Sequence, residues 1–502
     1  MTITDIPAPT DISALDSIAA LAAEAAPAYA DTAPSARAAS LIAVADKLTD
    51  FTDELVAIAR EETGLTEARL QGELKRTSVQ LKLFAETVRD GSYLDARLDE
   101  ADPGFALGPR PDIRRVLAPL GPVLNFAASN FPFAFSVAGG DSAAALAAGC
   151  PVIVKSHSGH PRLSYRTADL VKEALRETGM PDGTFQLVSG QKAGVELLKD
   201  DRIRAGSFTG SLHVGRMLAD VAAARPRPIP FFGELGSVNP VFVTAAAAAS
   251  RGEEIGSGFY TSISGSAGQL CTKPGFVFVP AIHDIAPAVI AAGTDVAEQR
   301  LLNPNIARGF GERRTAILGT ENLDVVLEGS FRVDEDGQGW ARPTVVAVSL
   351  DEFRRQRDVL LEEAFGPLSV FVIYPSGTDL GALAREFFPG NLTGSLQHGI
   401  DEQSNELKSL VAALAETSGR VVFNGWPTGV AVTPAMQHGG PWPATTSDGT
   451  SVGSAAIGRF LRGISYQNAP QVLLPPPLRD ENSWGVPRSY SKAGESNHWG
   501  SA

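Results

Sequence analysis

Hydrophobic and polar positions along this chain follow two different rhythms. From residue 13 to about residue 90, apolar residues recur at helical spacing among Ala, Glu and Arg. Leu41, Val44, Ala45 and Leu48 fall at i, i+3, i+4 and i+7, one face of an amphipathic helix. Between Leu98 and Arg114 the rhythm is broken by Pro103, Gly104, Pro109 and Pro111, which predicts an irregular excursion or an extended arm. Short continuous apolar runs then take over. Residues 116–126 predict strand, turn, strand. Ala134 to Ala148 predicts a small-residue helix ending at Gly149, and Pro151 to Lys155 a strand. Arg162 to Thr178 predicts a helix closed by Gly179, and Phe185 to Val188 another strand. Arg204 to Phe208 leads through Thr209-Gly210-Ser211 into a helix that runs to about Ala224. Strands alternating with helices over 121–224 predict parallel βαβ units in a doubly wound sheet.

A second α/β series follows, with strands expected near 239–243, 275–279, 343–347, 368–373 and 420–424, and a helix starting in the Ala245 to Ala249 run. Two such series predict two doubly wound α/β domains. Leu473 to Ala502, with Pro475, Pro476, Pro477 and Pro487, predicts an extended tail packed on a partner subunit. The chain has 502 residues, enough for two or three domains. Its net charge of −14 argues against nucleic-acid or anionic-membrane partners, which select clustered Lys and Arg. The most apolar long stretch, Val137 to Val154, contains Asp141 and three glycines and predicts a buried helix, turn and strand, not a membrane span. Met1 to Asp5 lacks the basic and apolar regions of a secretory leader. A cytoplasmic protein is expected.

Only two cysteines are present, Cys150 and Cys271, so a disulfide framework does not organise the fold. Cys271 closes Gly265-Ser-Ala-Gly-Gln-Leu-Cys271, a run of small residues that lets a substrate approach a thiolate. A lone cysteine is more often an inert core residue; the flanking Gly265, Gly268 and Gln269 favour a reactive one. Glu234 sits in Pro230-Phe-Phe-Gly-Glu-Leu-Gly236. Desolvation there should raise its pKa and make it a base for water, against the plainer alternative of a surface Glu at a strand end. Asn130, before Phe131-Pro132, offers an amide to a developing oxyanion or simply serves a turn. Lys155 ends an apolar strand, where open α/β sheets bind ligands; the alternative is a solvated strand end. Gly210-Ser211 to Gly215 is not a complete dinucleotide fingerprint, yet it follows a strand and opens a helix, the setting for a phosphate. His157 and His160 lack further ligands at metal-site spacing, so no metal is expected.

Together these segments resemble the aldehyde dehydrogenase superfamily, in the expected order over roughly residues 30–475. The Cys271 segment resembles the family's nucleophile segment. Phe232-Gly-Glu-Leu-Gly-Ser-Val-Asn-Pro240 resembles its general-base segment, and Ala128-Ser-Asn-Phe-Pro132 the segment with the oxyanion-stabilising Asn. Phe208-Thr-Gly-Ser211 and Glu362-Glu-Ala-Phe-Gly-Pro367 resemble its two cofactor segments. The resemblance implies that Cys271 attacks an aldehyde, Asn130 and the Cys271 N–H hold the oxyanion, oxidation by NADP or NAD leaves a thioester, and Glu234 activates the hydrolytic water. It implies cofactor contacts from Lys155, Ser158, Phe208, Gly210, Ser211, Leu235, Glu363 and Phe365. It also implies a Rossmann-like dinucleotide-binding domain (1–97 and 115–232), a catalytic domain (233–450), and an oligomerisation arm with a C-terminal extension (98–114 and 451–502). A homodimer or homotetramer is expected.

Ser158 departs from the family pattern, since many NAD-preferring members carry Glu there. A hydroxyl does not repel a 2′-phosphate, so NADP is favoured. The usual Trp before the catalytic Asn is Ser129. Residues 126–141, Gly425-Trp-Pro-Thr-Gly-Val430 and His438-Gly-Gly-Pro-Trp-Pro-Ala444 look closest to the branch of 2-oxoglutarate semialdehyde (2,5-dioxopentanoate) and NADP-dependent fatty-aldehyde dehydrogenases. Phe131, Phe133 and Phe135 are candidates to line an apolar substrate tunnel. The competing expectations are a CoA-acylating semialdehyde dehydrogenase and a catalytically silent cofactor-binding member.

Overall fold

A computed structural model describes residues 8–281 and 285–500; Met1 to Asp5, where a leader would stand, and the last two residues lie outside the described residues. The apolar runs become two sheets. In the first, parallel strands lie in the order Phe185–Val188, Val152–Lys155, Val123–Phe126, Ala205–Thr209, Phe231–Glu234. These strands are continuous apolar runs because helices cover both faces. Pro161–Glu177 and Pro34–Asp50 pack on one side, Gln191–Lys199 and Leu212–Ala223 on the other. The second sheet has seven strands, in the order Asp324–Leu327, Thr344–Ser349, Leu368–Ile373, Phe276–Val279, Val241–Val243, Asn391–Gln397, Ser418–Phe423. All its pairings are parallel except that of the edge strand Asp324–Leu327. This is the expected architecture of two α/β layers.

Several elements differ from expectation. Strand, turn, strand over 116–126 is found as Ile113–Pro119 and Val123–Phe126, but the two strands serve different sheets. Ile113–Pro119 joins Leu461–Gln467, Ala96–Asp99 and Arg488–Ser491 in a separate four-stranded arm. The proline-rich tail is thus partly strand, paired in parallel with Ala96–Asp99. The expected helix from Ala134 starts only at Gly140. The Phe133 and Ala134 amides are instead taken by the buried Glu73 carboxylate, at 2.8 and 2.9 Å. Asn391–Gln397 is fully buried in the second sheet despite its polar residues. The strand ending in Glu234 belongs to the first sheet, and Ser454–Phe460 packs its Ala456, Ile457 and Phe460 into the first sheet's core.

Both cysteines are free, and Cys150 is fully buried with its thiol pushed up to about 11 by desolvation. Among the described residues, no helix is long and apolar enough to cross a membrane. The segment that leads into the arm strand Leu461–Gln467 is locked by a buried ion pair, Arg459 to Asp141 at 2.7 Å, with the guanidinium over the Phe232 ring. Removing one partner of a buried pair strands the other charge, at a cost of about 3–5 kcal/mol. Asp141→Ala is therefore expected to lower the denaturant midpoint by that equivalent, measured by urea unfolding; a variant as stable as the parent would contradict the pairing.

Candidate active site

Cys271 lies at the amino ends of the second sheet's strands, between the helix Ala245–Ser264 and the strand Phe276–Val279. The chain leaves that helix through Ser266, Ala267 and Gly268, all left-handed, with φ of 52°, 53° and 65°. Such backbone costs energy at Ser and Ala and persists only where neighbours hold it. Here Gln299 accepts the Ala267 N–H at 2.9 Å, and the buried Gln269 side chain bonds the Ser266 carbonyl at 3.0 Å and the Leu302 N–H at 2.8 Å. A Cβ at Gly268 would stand 2.5 Å from the Gly366 carbonyl oxygen, so the turn must pass as glycine. Asn239 Nδ2 then donates to the carbonyls of Cys271 and Lys273, at 2.8 and 3.0 Å, which fixes the nucleophile's backbone.

Glu234 ends the last strand of the first sheet and is 2% exposed. The loop from His438 to Ser451 closes over it. His438 Nε2 stands 3.1 Å from Oε1, and the Ser451 hydroxyl donates to Oε2 at 2.6 Å. The same His438 Nε2 lies 3.7 Å from Cys271 Sγ. Sulfur, imidazole and carboxylate thus lie within 4.8 Å of one another, from segments far apart in sequence. The expectation that burial raises the Glu234 pKa is corrected. Burial does push it up, but His438, the Ser451 hydroxyl and Arg459 outweigh burial and hold the carboxyl down at about 2. Cys271 goes the other way: burial, then Glu234 and Glu363, push its thiol well above the ordinary value.

Asn130 Nδ2 donates to the Gln269 carbonyl at 3.1 Å, two residues from the nucleophile. Among the described residues, the Cys271 N–H has no protein acceptor. Phe131 and Phe135 meet edge to face at 5.3 Å, and the Phe135 ring lies 6.0 Å from His438. Phe133 turns away into the first sheet's core, which corrects its place in the tunnel. His160 bonds the Ala128 carbonyl at 2.9 Å and Ser164, so it braces the Asn130 loop.

The residues expected to meet the cofactor gather at the carboxyl ends of the first sheet. Lys155 ends its strand half-buried, and its ammonium has no hydrogen-bond or ion-pair partner among the described residues; burial lowers its pKa. Ser158 is exposed in the following turn. Ser211 caps the helix Leu212–Ala223, and Gly210 donates to the Glu234 carbonyl at 3.0 Å. Phe208 and Leu235 are buried beneath that helix, filling the space a side chain at Gly215 would need. Glu363 comes from the second sheet's side, and a Cβ at Gly236 would stand 2.6 Å from its Oε2. Burial raises Glu363 toward about 7, opposed by the buried ammonium of Lys273. Phe365 packs against the first sheet's core. An open cradle at a helix start, flanked by an unpartnered ammonium, fits a phosphorylated dinucleotide.

His438, Ser451, Asn239 and Lys273 are additions that sequence reasoning missed. His438 had one signal, its place in the Gly-Gly-Pro segment, but nothing local points to Cys271.

A doubly wound sheet facing a strained thiol loop, with a buried acid between them, defines an oxidoreductase of the dinucleotide-linked thiol class. The aldehyde dehydrogenase family model matches residues 2–440, and the chain belongs to that family. It is 39% identical to an alpha-ketoglutaric semialdehyde dehydrogenase of Acinetobacter baylyi, covering 92% of this chain and 87% of that protein. It is 41% identical to alpha-ketoglutaric semialdehyde dehydrogenase 2 of Azospirillum brasilense, covering 93% and 89%. Its fold is similar to an NAD-dependent aldehyde dehydrogenase of Sinorhizobium meliloti, with TM-score 0.75 and 23% identity over 92% of this chain and 88% of that one. It is equally similar to 3,6-anhydro-L-galactose dehydrogenase in complex with NAP, with TM-score 0.76 and 22% identity over 91% and 92%. The protein is an enzyme that oxidises an aldehyde.

The raised Cys271 thiol sets its reactivity. Below its pKa the thiolate fraction grows about tenfold per pH unit. Iodoacetamide is expected to label Cys271 slowly at pH 7 and progressively faster through pH 9, with Cys150 silent, as read by peptide mass spectrometry. Fast, pH-independent labelling at pH 6–7 would contradict a resting thiol.

Proposed function

We propose that this protein is an NADP-preferring, hydrolytic dehydrogenase of 2-oxoglutarate semialdehyde or a related aliphatic aldehyde. The reading is carried by the Cys271–His438–Glu234 chain, supported by the two relatives named for alpha-ketoglutaric semialdehyde. Lys155, Ser158, Gly210 and Ser211 would hold the adenosine and pyrophosphate side of the dinucleotide, with Phe208 and Leu235 shaping the cradle and Glu363 and Phe365 placing its nicotinamide end. The bound cofactor supplies a hydride acceptor.

With His438 in its neutral form, Cys271 transfers its proton to Nε2 as the sulfur attacks the aldehyde carbon. The Glu234 carboxylate, 3.1 Å away, stabilises the imidazolium formed. The carbonyl π electrons move to oxygen, which the Asn130 amide and the Cys271 N–H receive. After oxidation the carbon is a thioester on Cys271. Once His438 has released its proton to solvent, a water loses a proton to the Glu234–His438 pair and attacks that carbon; the C–S bond breaks, and the departing sulfur takes that proton back to restore the thiol. Retention of Glu234 opposes the CoA-acylating alternative, and the assembled chain of acid, base and thiol opposes a silent fold.

The domain division into 1–97 with 115–232, 233–450, and the arm remains our assignment, with Glu234 and 451–460 moved to the first unit on their sheet and core contacts. Exposed Leu107 on the arm, at 91%, and Val472 and Leu473 on the tail, at 79% and 71%, support a homodimer or homotetramer. We assign the enzyme to the cytoplasm.

The test is reduced-nicotinamide absorbance with 2-oxoglutarate semialdehyde and no CoA. Steady turnover lost in Cys271→Ser supports the reading; turnover only with CoA, or cofactor binding without turnover, overturns it. Ser158→Glu is expected to lower kcat/KM for NADP relative to NAD by about tenfold or more, through like-charge repulsion. An unchanged ratio would refute the role of Ser158.

A further inference from the structure

Residues 69, 73 and 76 of the helix Glu67–Asp90 face the thiol site. Two are fully engaged. Arg69 pairs with Glu73 at 2.5 Å and donates to Ser266 Oγ at 3.3 Å, and Glu73 receives the Phe133 and Ala134 amides. Arg76 is not engaged: it has no hydrogen-bond acceptor or ion-pair partner among the described residues, and its Nη1 is sealed from solvent without one. Its guanidinium stands 5.1 Å over the Phe135 ring and 6.0 Å from that of Phe131. Phe135 in turn faces His438, which lies 3.7 Å from the Cys271 sulfur.

Arg76 also acts electrically on the nucleophile. Its charge opposes burial and the two carboxylates, which still prevail in raising the Cys271 thiol, and burial holds its own pKa below the ordinary value. Arg420 is another buried cation that senses Cys271. Its terminal nitrogens are spent on the carbonyls of Gly429 and Pro427 and on Thr393 Oγ1. A closed-off donor without an acceptor destabilises a fold unless a ligand supplies one. A planar guanidinium has the geometry to take both oxygens of a carboxylate.

We propose that Arg76 anchors the carboxylate of the substrate, an oxo acid whose aldehyde carbon lies at Cys271 while Phe131 and Phe135 flank its carbon chain. This makes Arg76 the residue that separates acid semialdehydes from neutral aldehydes of equal length. It rests on the semialdehyde assignment above.

The test compares kcat/KM for 5-oxopentanoate and for pentanal in the parent enzyme, Arg76→Gln and Arg76→Lys. The parent is expected to favour the acid. Arg76→Gln is expected to cut the acid-to-neutral ratio by about 10- to 100-fold, chiefly through KM, the loss of one charge-assisted pair. Arg76→Lys is expected to recover part of that ratio. A ratio unchanged in Arg76→Gln overturns the proposal, as does an equal fall for both aldehydes. A parent ratio at or below one overturns the semialdehyde assignment itself, a failure visible before any Arg76 variant is measured.

Discussion

The short contact between the Glu234 carboxylate and the His438 imidazole is what the rest of the site depends on. Both side chains are almost wholly removed from water. In that environment an unpaired carboxylate would take up a proton. Ser451, Arg459 and a charged His438 keep it ionised, and when the imidazole is neutral the same carboxylate favours its taking the Cys271 proton. The charge needed for nucleophilic attack is thus distributed over three groups, and no single group must carry it in the resting enzyme.

The fold serves this contact by bringing three distant segments together. The first sheet delivers Glu234 at a strand end, and the second delivers Cys271 through a left-handed turn. A loop that returns from the second sheet to the arm supplies His438 and Ser451. Glu73, from the helical layer, sets the Asn130–Phe135 loop by binding two of its amides. Each holding interaction is a buried polar group with its partner satisfied, the condition for a site held in one geometry.

The sheets were legible in the chain because buried parallel strands are continuous apolar runs, as in Val152–Lys155 and Leu368–Ile373. Asn391–Gln397 was illegible for the same reason in reverse. Its two amide side chains find partners inside, Asn391 bonding the Phe388 carbonyl and Gln397 that of Gly425. The helix expected from Ala134 begins only at Gly140, and the turn before it is held by Glu73 of a remote helix, which accepts the Phe133 and Ala134 amides. Cys271, Glu234 and Asn130 were visible from their local segments. His438 was not, since its partners lie 167 and 204 residues away. For the same reason the Glu234 segment alone points its pKa the wrong way: burial is local information, and the groups that reverse it come from residues 438, 451 and 459.

The most direct measurement is a rapid-quench burst of reduced nicotinamide, paired with intact-protein mass, in His438→Asn and Glu234→Gln. The account predicts a burst amplitude near one per Cys271 in the parent, loss of the burst in His438→Asn, and a stalled acyl adduct on Cys271 in Glu234→Gln. A His438→Asn enzyme that keeps the parent's burst rate would show that the thiol is activated without the imidazole, and would contradict the proton path at the centre of this structure.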